Sequence, residues 1–185
     1  MTALSALWLP ILLSVIAVFF ASSIIHMKSP WHKSDYPAVP NETALADAMR
    51  PLAIPPGNYV VPRPGTMAEM KTPAFQEKVN RGPNLILTVI PNGPRPMSTF
   101  FIGWFVYLLV VTSAAAYLAG CILAPGAGYD IHKYVFLFSF IGYAFGLWPE
   151  SIWYHRKWST TLKLTFDALI YALITAFIFG WLWPK

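Results

Sequence analysis

Residues 97–124 read MSTFFIGWFVYLLVVTSAAAYLAGCILA and contain no charged side chain in 28 positions. A helix of this length rises by about 40 Å, and about 20 mostly apolar residues suffice to cross ~30 Å of hydrocarbon. Three further apolar stretches have comparable lengths: residues 4–27, 131–154 and 161–183. The sequence therefore predicts an all-α membrane protein with four transmembrane helices.

The composition of the whole chain favours a lipid environment. Of the 185 residues, 56% are hydrophobic and only 11% are charged, whereas soluble domains carry about 25% charged residues. The net charge of +5 is explained by cationic loops that flank membrane spans, so we expect no nucleic-acid partner. The single cysteine, Cys121, lies in an apolar run, and we expect it to be a small buried hydrophobic residue.

The chain divides into three parts by composition. Residues 1–27 hold the first transmembrane helix, residues 28–96 form an extrinsic segment, and residues 97–185 hold the other three helices. The first helix has no basic segment before it and no convincing cleavage site, so we expect a retained helix and not a signal peptide. Only HRKWST separates the third helix from the fourth, which predicts an antiparallel hairpin.

The extrinsic segment, residues 28–96, holds thirteen of the seventeen prolines, which excludes long helices and central strands. Capping signals at Asn41, Thr66 and Thr72 predict short helices after them. NYVV and NLILTVI have the composition of short strands. Because disordered chains lack the aromatic and branched apolar residues found here, we expect a small, mostly irregular folded unit.

Lysine and arginine predict the orientation of the helices. The segment between the first two helices holds eight of the thirteen basic residues, and the link between the third and fourth helices holds Arg156 and Lys157. The turn between the second and third helices holds only Lys133. The positive-inside rule then places residues 28–96 in the cytoplasm and both termini in the periplasm.

Two carboxylates, Glu150 and Asp167, lie within apolar stretches near the link between the third and fourth helices. Lys163 precedes Asp167 by four residues, and Arg156 follows Glu150 closely, so ion pairs are the simplest interpretation. We therefore predict an interfacial charge cluster of these four residues. A proton-relay or metal role for Glu150 and Asp167 is one alternative, because two carboxylates that lie close together in a medium of low dielectric constant can share a proton. Contact with a partner subunit is the other.

Three histidines, His26, His32 and His155, are weak candidates for binding a cofactor. An axial ligand of haem or of chlorophyll magnesium would lie within an apolar span, and no span has a histidine near its centre. We expect these histidines to form hydrogen bonds at the membrane boundary. We predict no directly bound cofactor and no metal.

Small residues predict two close helix contacts. The third helix contains Gly142-x-x-x-Gly146, and the second contains Ala116-x-x-x-Gly120, a spacing that lets helix backbones approach each other. These residues either clamp the second, third and fourth helices together or dock against helices of another protein.

Motifs of several enzyme classes are absent. The sequence has no Walker loop, G-x-S-x-G, H-E-x-x-H or C-x-x-C, and it has no inverted repeat typical of secondary transporters. We therefore predict no enzyme activity and no catalytic residue. The alternatives are a small redox or proton-handling enzyme associated with haem or quinone, which would use the histidines with Glu150 and Asp167, and a small transporter.

Three stretches carry a resemblance over essentially the whole chain: SSIIHMKSPWHKSDYPAVPNE, MRPLAIPPGNYVVPRP and WSTTLKLTFDALIYALITAFIFGWLWP. They resemble a family of uncharacterised bacterial inner-membrane proteins. One setting of such proteins is an accessory structural subunit, without bound pigment, of double-ring photosynthetic reaction centre–light-harvesting complexes. The resemblance implies a scaffold that joins core and antenna, with reaction-centre and light-harvesting polypeptides, lipids and chlorophyll-type pigments as neighbours.

Overall fold

A computed structural model describes all 185 residues. Four helices are long and apolar enough to cross a membrane: span 1 (Leu4–Lys28), span 2 (Met97–Ile122), span 3 (Tyr129–Trp153) and span 4 (Trp158–Leu182). The predicted all-α fold with four transmembrane helices is confirmed, and the chain is a multi-pass membrane protein by the length and composition of these helices.

The regular elements follow one another in the order α1-α2-β1-α3-α4-β2-α5-α6-α7-α8. They are α1 (Trp8–Ser23), α2 (Glu42–Met49), β1 (Gly57–Val61), α3 (Met67–Met70), α4 (Pro73–Arg81), β2 (Leu85–Val89), α5 (Met97–Ile122), α6 (Tyr129–Ala144), α7 (Trp148–Trp153) and α8 (Trp158–Leu182). Spans 2 and 4 are the uninterrupted helices α5 and α8. Span 1 begins with a 3₁₀ turn, Leu4–Leu7, and both span 1 and span 3 change their helical geometry again towards their C-terminal ends.

The interruptions in the C-terminal parts of spans 1 and 3 lie at the same end of the bundle. Span 1 ends in a π-helical turn, Ile24–Lys28, which Ser29 closes by donating its N–H to the Ile24 carbonyl at 3.1 Å. Span 3 passes through a 3₁₀ turn, Phe145–Leu147, before α7. Pro149 lies in the first turn of α7, where its missing N–H costs least.

The spans form a bundle in which each helix packs against its neighbours in the sequence and span 4 closes the ring against span 1. Two buried clusters fill the interior. One surrounds Leu7, Val135 and Phe179, and the other surrounds Val15 and Leu108. Since lipid tails are as apolar as these side chains, close packing and hydrogen bonds stabilise the bundle more than exclusion of water does.

The predicted packing residues lie at different places in this bundle. A Cβ on Gly142 would meet Val111 of span 2, and a Cβ on Gly120 would meet the Thr2 carbonyl oxygen. Ala116 is fully buried among the helices. These three positions make contacts within this chain, whereas Gly146 has open space in front of it.

Cys121 is exposed on span 2, so the prediction that it is a buried hydrophobic residue was wrong. Ala115, Ala116, Ala119 and Gly120 form the buried face of this helix. At about 100° per residue, position 121 lies on the opposite side of the helix from the middle of that face and points away from the bundle.

Residues 38–94 form a compact unit that is separate from the unit made by residues 1–37 and 95–185. In the smaller unit β1 pairs antiparallel with β2, from Gly57 opposite Val89 to Val61 opposite Leu85. The side chains of Asn41, Thr66 and Thr72 accept hydrogen bonds from backbone N–H groups in the first turns of α2, α3 and α4. The sheet of this unit has two strands.

Candidate functional site

The chain that follows span 1 folds back onto span 4. Ser29 caps a 3₁₀ turn, Pro30–His32, by accepting a hydrogen bond from the Trp31 N–H at 3.1 Å. Pro30 begins this turn with a φ angle that is already helical. The turn brings His32 against the side of α8, so residues 28–37 pack with the bundle although they lie beyond the apolar stretch.

The His32 imidazole lies between two carboxylates. Its Nδ1 is 2.7 Å from an oxygen of Asp35, and its Nε2 is 2.8 Å from an oxygen of Asp167. The side chains of His32, Asp35 and Asp167 are 12%, 6% and 2% exposed. Because the site is this dry, each of these hydrogen bonds is stronger than it would be in water.

If both short contacts are hydrogen bonds, they set the number of protons that the triad holds. A neutral imidazole has one N–H, and a carboxylate has none, so two hydrogen bonds need one proton more than the neutral ring supplies. Wherever that proton resides, His32, Asp35 and Asp167 together carry one negative charge. A single cation nearby is enough to neutralise them.

Lys163 supplies that cation. Its Nζ lies 2.8 Å from Asp35, and it also donates to the Trp31 carbonyl at 2.7 Å and to the Ser34 hydroxyl at 3.0 Å. Burial by itself raises the pKa of the Asp35 carboxyl, but the hydrogen bonds and charges of Lys163 and His32 hold that pKa below its usual value. We call His26, His32, Asp35, Lys163 and Asp167 the histidine–aspartate cluster.

His26 belongs to the cluster by stacking. Its ring lies 4.2 Å from the His32 ring at an interplanar angle of 11°, and its Nε2 is 3.7 Å from Asp167. The ligand atoms of His26, His32 and Asp167 lie within 4.8 Å of one another, close enough for a metal ion.

The orientation of the two rings opposes joint coordination of a metal ion, because the lone pair of an imidazole nitrogen lies in the plane of its ring. Two parallel, stacked rings therefore cannot both bind one ion unless one of them turns.

A cleft of about 730 Å³ opens beside the cluster, between all four spans. Asp167 and Tyr171 border it from span 4, and aromatic residues of span 2 form most of one wall. The second oxygen of Asp167, Oδ1, and the hydroxyl of Tyr171 are buried and have no hydrogen-bond partner. The cleft thus combines apolar walls with two unsatisfied polar atoms.

The structure divides the predicted charge cluster into two separate groups. Lys163 pairs with Asp35, and Asp167 pairs with His32, so the lysine and aspartate one turn apart on span 4 have different partners. Glu150 is 3.5 Å from Arg156 at a more exposed position. His155 is exposed in the link before span 4 and is not a member of the histidine–aspartate cluster.

Asp35 is the member of the cluster that the sequence analysis did not identify. It lies three residues after His32, and this spacing was the available local signal. Its ion pair with Lys163 spans 128 residues of sequence, so no local pattern predicts it.

The comparisons with known proteins identify no relative. No protein-family model, no curated protein and no solved structure matches this chain. The chemistry of the site therefore has to be inferred from its own geometry.

Proposed function

We propose that this protein is a non-catalytic structural subunit that joins other integral membrane proteins in a larger complex. One observation carries the proposal: in the compact unit of residues 38–94, Phe75 is the one buried residue. A unit of this size needs a substantial core, because a single core below about 70–80 residues rarely supplies more than 3–5 kcal/mol. A partner surface would supply the missing burial.

The side chains that a partner would cover are present in this unit. Ten large apolar residues are exposed: Val39, Leu45, Leu52, Val60, Val61, Met67, Met70, Leu85, Ile86 and Ile90. Two of them, Val60 and Ile86, are directly opposite each other on one face of the hairpin. Both outer edges of the two-stranded sheet lack a neighbouring strand, and such a hairpin alone is marginally stable in water.

The setting we propose follows from the resemblance of the sequence. The partners are reaction-centre and light-harvesting polypeptides of a photosynthetic complex in a bacterial inner membrane, with residues 28–96 in the cytoplasm and both termini in the periplasm. In this orientation, a cysteine placed at Thr43 in a Cys121→Ala background, which removes the exposed native thiol, reacts with a membrane-impermeant maleimide only after the inner membrane is opened. Labelling of intact spheroplasts would contradict the orientation.

The scaffold role is tested by removing the small unit. Residues 38–94 are replaced by a flexible Gly/Ser linker, and residues 28–37 are kept because they pack with the bundle. Membranes of cells that produce the protein naturally are solubilised in a mild detergent and separated on a density gradient. We expect the wild-type chain to sediment with a large complex and the linker variant to sediment alone. A wild-type chain that sediments alone would refute the proposal.

A matched pair of substitutions locates the contact. Val60→Lys with Ile86→Lys places two charges on the exposed apolar pair of the hairpin. Asn58→Lys with Thr88→Lys places the same charges on the polar pair of the same face. We expect the first double variant to leave the complex and the second to remain in it. Equal retention of both variants would show that this face makes no contact.

A further inference from the structure

We propose that the cleft between the four spans binds a membrane-soluble hydroquinone, with its ring hydroxyl donating to Asp167 and its apolar substituent along the aromatic wall. The inference goes beyond the scaffold role. It rests on residues of the spans alone, so it does not depend on the unit of residues 38–94.

The first argument is the hydrogen-bonding deficit at the cleft. Asp167 is 2% exposed and Tyr171 is 4% exposed, yet Asp167 Oδ1 and the Tyr171 hydroxyl have no partner. A buried polar group without a partner costs about 1–3 kcal/mol, and more when it is charged. Both atoms are enclosed in this structure, so a ligand in the cleft removes that cost when the two side chains turn toward its hydroxyl groups. The two residues are one helical turn apart on span 4, which suits a ring with a polar group at each end.

The second argument is charge. With a neutral His26 and both His32 contacts as hydrogen bonds, the histidine–aspartate cluster is neutral, because Lys163 balances the net negative charge of His32, Asp35 and Asp167. A cationic ligand or an anionic ligand would upset this balance in a dry site, where an uncompensated charge is costly. A neutral hydrogen-bond donor satisfies Asp167 Oδ1 and leaves the balance unchanged. A hydroxyl group is such a donor.

The third argument is shape. Phe100, Phe101, Trp104 and Tyr107 border the cleft from span 2, and Tyr143 borders it from span 3. Aromatic walls favour a flat aromatic ligand, since offset stacking and edge contacts add to the burial of its surface. The volume of about 730 Å³ lies within the usual range for small-molecule sites, about 300–1,000 Å³. Gly146 leaves room because a Cβ there would meet nothing within 4 Å.

The test measures binding by the full chain. Isothermal titration calorimetry uses the chain in phosphatidylcholine nanodiscs, with empty nanodiscs subtracted, and decyl-1,4-benzohydroquinone under argon as the probe. We expect saturable binding of one probe per chain. The dimethyl ether of the same ring, which has no hydroxyl donor, should bind at least tenfold more weakly. Absence of saturable binding, or equal affinity for the ether, would overturn the proposal.

A second probe tests the role of the second hydroxyl. 2-Decylphenol carries the same apolar substituent ortho to its single hydroxyl, as in the hydroquinone, so it can satisfy only one of the two unpaired polar atoms. We expect it to bind at least threefold more weakly than the hydroquinone. Equal affinity would overturn the assignment of the ligand as a hydroquinone.

Two matched pairs of variants locate the site. Gly146→Leu fills the cleft and should abolish binding. Gly103→Leu makes the same change at an exposed position of span 2 that does not border the cleft, and it should leave binding unchanged.

The aspartate pair tests the hydrogen bond. Asp167→Asn should weaken binding at least tenfold, and Asp35→Asn, which perturbs the same cluster away from the cleft, should weaken it less than threefold. Equal losses in the two aspartate variants would overturn the direct hydrogen bond. If Asp167→Asn does not fold, the glycine pair decides the question.

Discussion

The histidine–aspartate cluster makes a quantitative prediction about stability. His32→Ala removes the imidazole that joins Asp35 to Asp167 through contacts of 2.7 Å and 2.8 Å. The substitution leaves Asp167, which is 2% exposed, with His26 at 3.7 Å as its remaining partner. Asp35 retains Lys163. The variant therefore leaves the buried Asp167 carboxylate without a close hydrogen-bond partner, whereas Asp35 stays paired with Lys163.

The magnitude follows from the burial of the partners. A hydrogen bond to a charged group contributes about 1.5–3 kcal/mol, and loss of one member of a buried ion pair costs about 3–5 kcal/mol. His32 is 12% exposed, and water at the end of the bundle screens part of the charge. We therefore expect a loss of about 3 kcal/mol. The pair of Glu150 and Arg156 is 44% and 31% exposed, so Glu150→Gln should cost less than about 1 kcal/mol.

The assay is unfolding of the purified chain at pH 7 in dodecyl maltoside micelles with increasing dodecyl sulfate, followed by far-ultraviolet circular dichroism. The double variant His32→Ala with Asp167→Ala removes the stranded carboxylate together with its partner. Its loss should be smaller than the sum of the two single losses by about 2 kcal/mol, because neighbouring groups are not additive. The reasoning fails if His32→Ala costs no more than Glu150→Gln, or if the double variant is additive.

Three further predictions concern other parts of the bundle. Gly180→Leu should destabilise the chain by about 1–3 kcal/mol in the same assay, because even a Cβ at this position would overlap the His132 ring. Asp35→Asn should reduce the loss of stability that the wild-type chain shows as the pH falls below about 4. The pKa of Asp35 is held below 3.8, so its contribution is present above that value and is lost as the pH falls through the lower folded-state value. Gly120→Val should release the N-terminal residues and speed their hydrogen exchange, since a Cβ there meets the backbone of Thr2, whose N–H donates to the Gly120 carbonyl.

The parts of the fold that the sequence predicts are those with a local signal. The four spans follow from apolar length, and their bounds in the structure differ by a few residues from the apolar stretches because polar residues such as Lys28 and Ser159 extend the helices. The short helices begin after Asn41, Thr66 and Thr72 because a capping side chain acts on the N–H groups of the next turn. The composition of NYVV and NLILTVI is also a local signal and predicts strands there. The pairing of β1 with β2 joins distant parts of the sequence and has no local signal.

The candidate site depends on contacts that have no local signal. His32 and Asp167 are 135 residues apart in the sequence, and the turn that joins them depends on how residues 28–37 leave the membrane. Lys163 precedes Asp167 by four residues on one helix, and this spacing predicts an ion pair. The returning chain offers Lys163 a nearer carboxylate, Asp35, and offers Asp167 a histidine. Tertiary contacts therefore replace the pairing that the helix alone would favour.

The two proposals rest on opposite properties of the two compact units. In the bundle, the buried charges balance one another, and two residues with an unsatisfied polar atom, Asp167 and Tyr171, border a cleft of small-molecule size. In residues 38–94, almost nothing is buried, and large apolar side chains face outward, which calls for a surface and not for a small ligand. The linker variant tests the two proposals independently, because it removes residues 38–94 and keeps His32, Asp35 and the whole cleft. It should therefore leave the large complex yet bind hydroquinone with unchanged affinity in nanodiscs, and a parallel loss of both would mean that the cleft depends on residues 38–94.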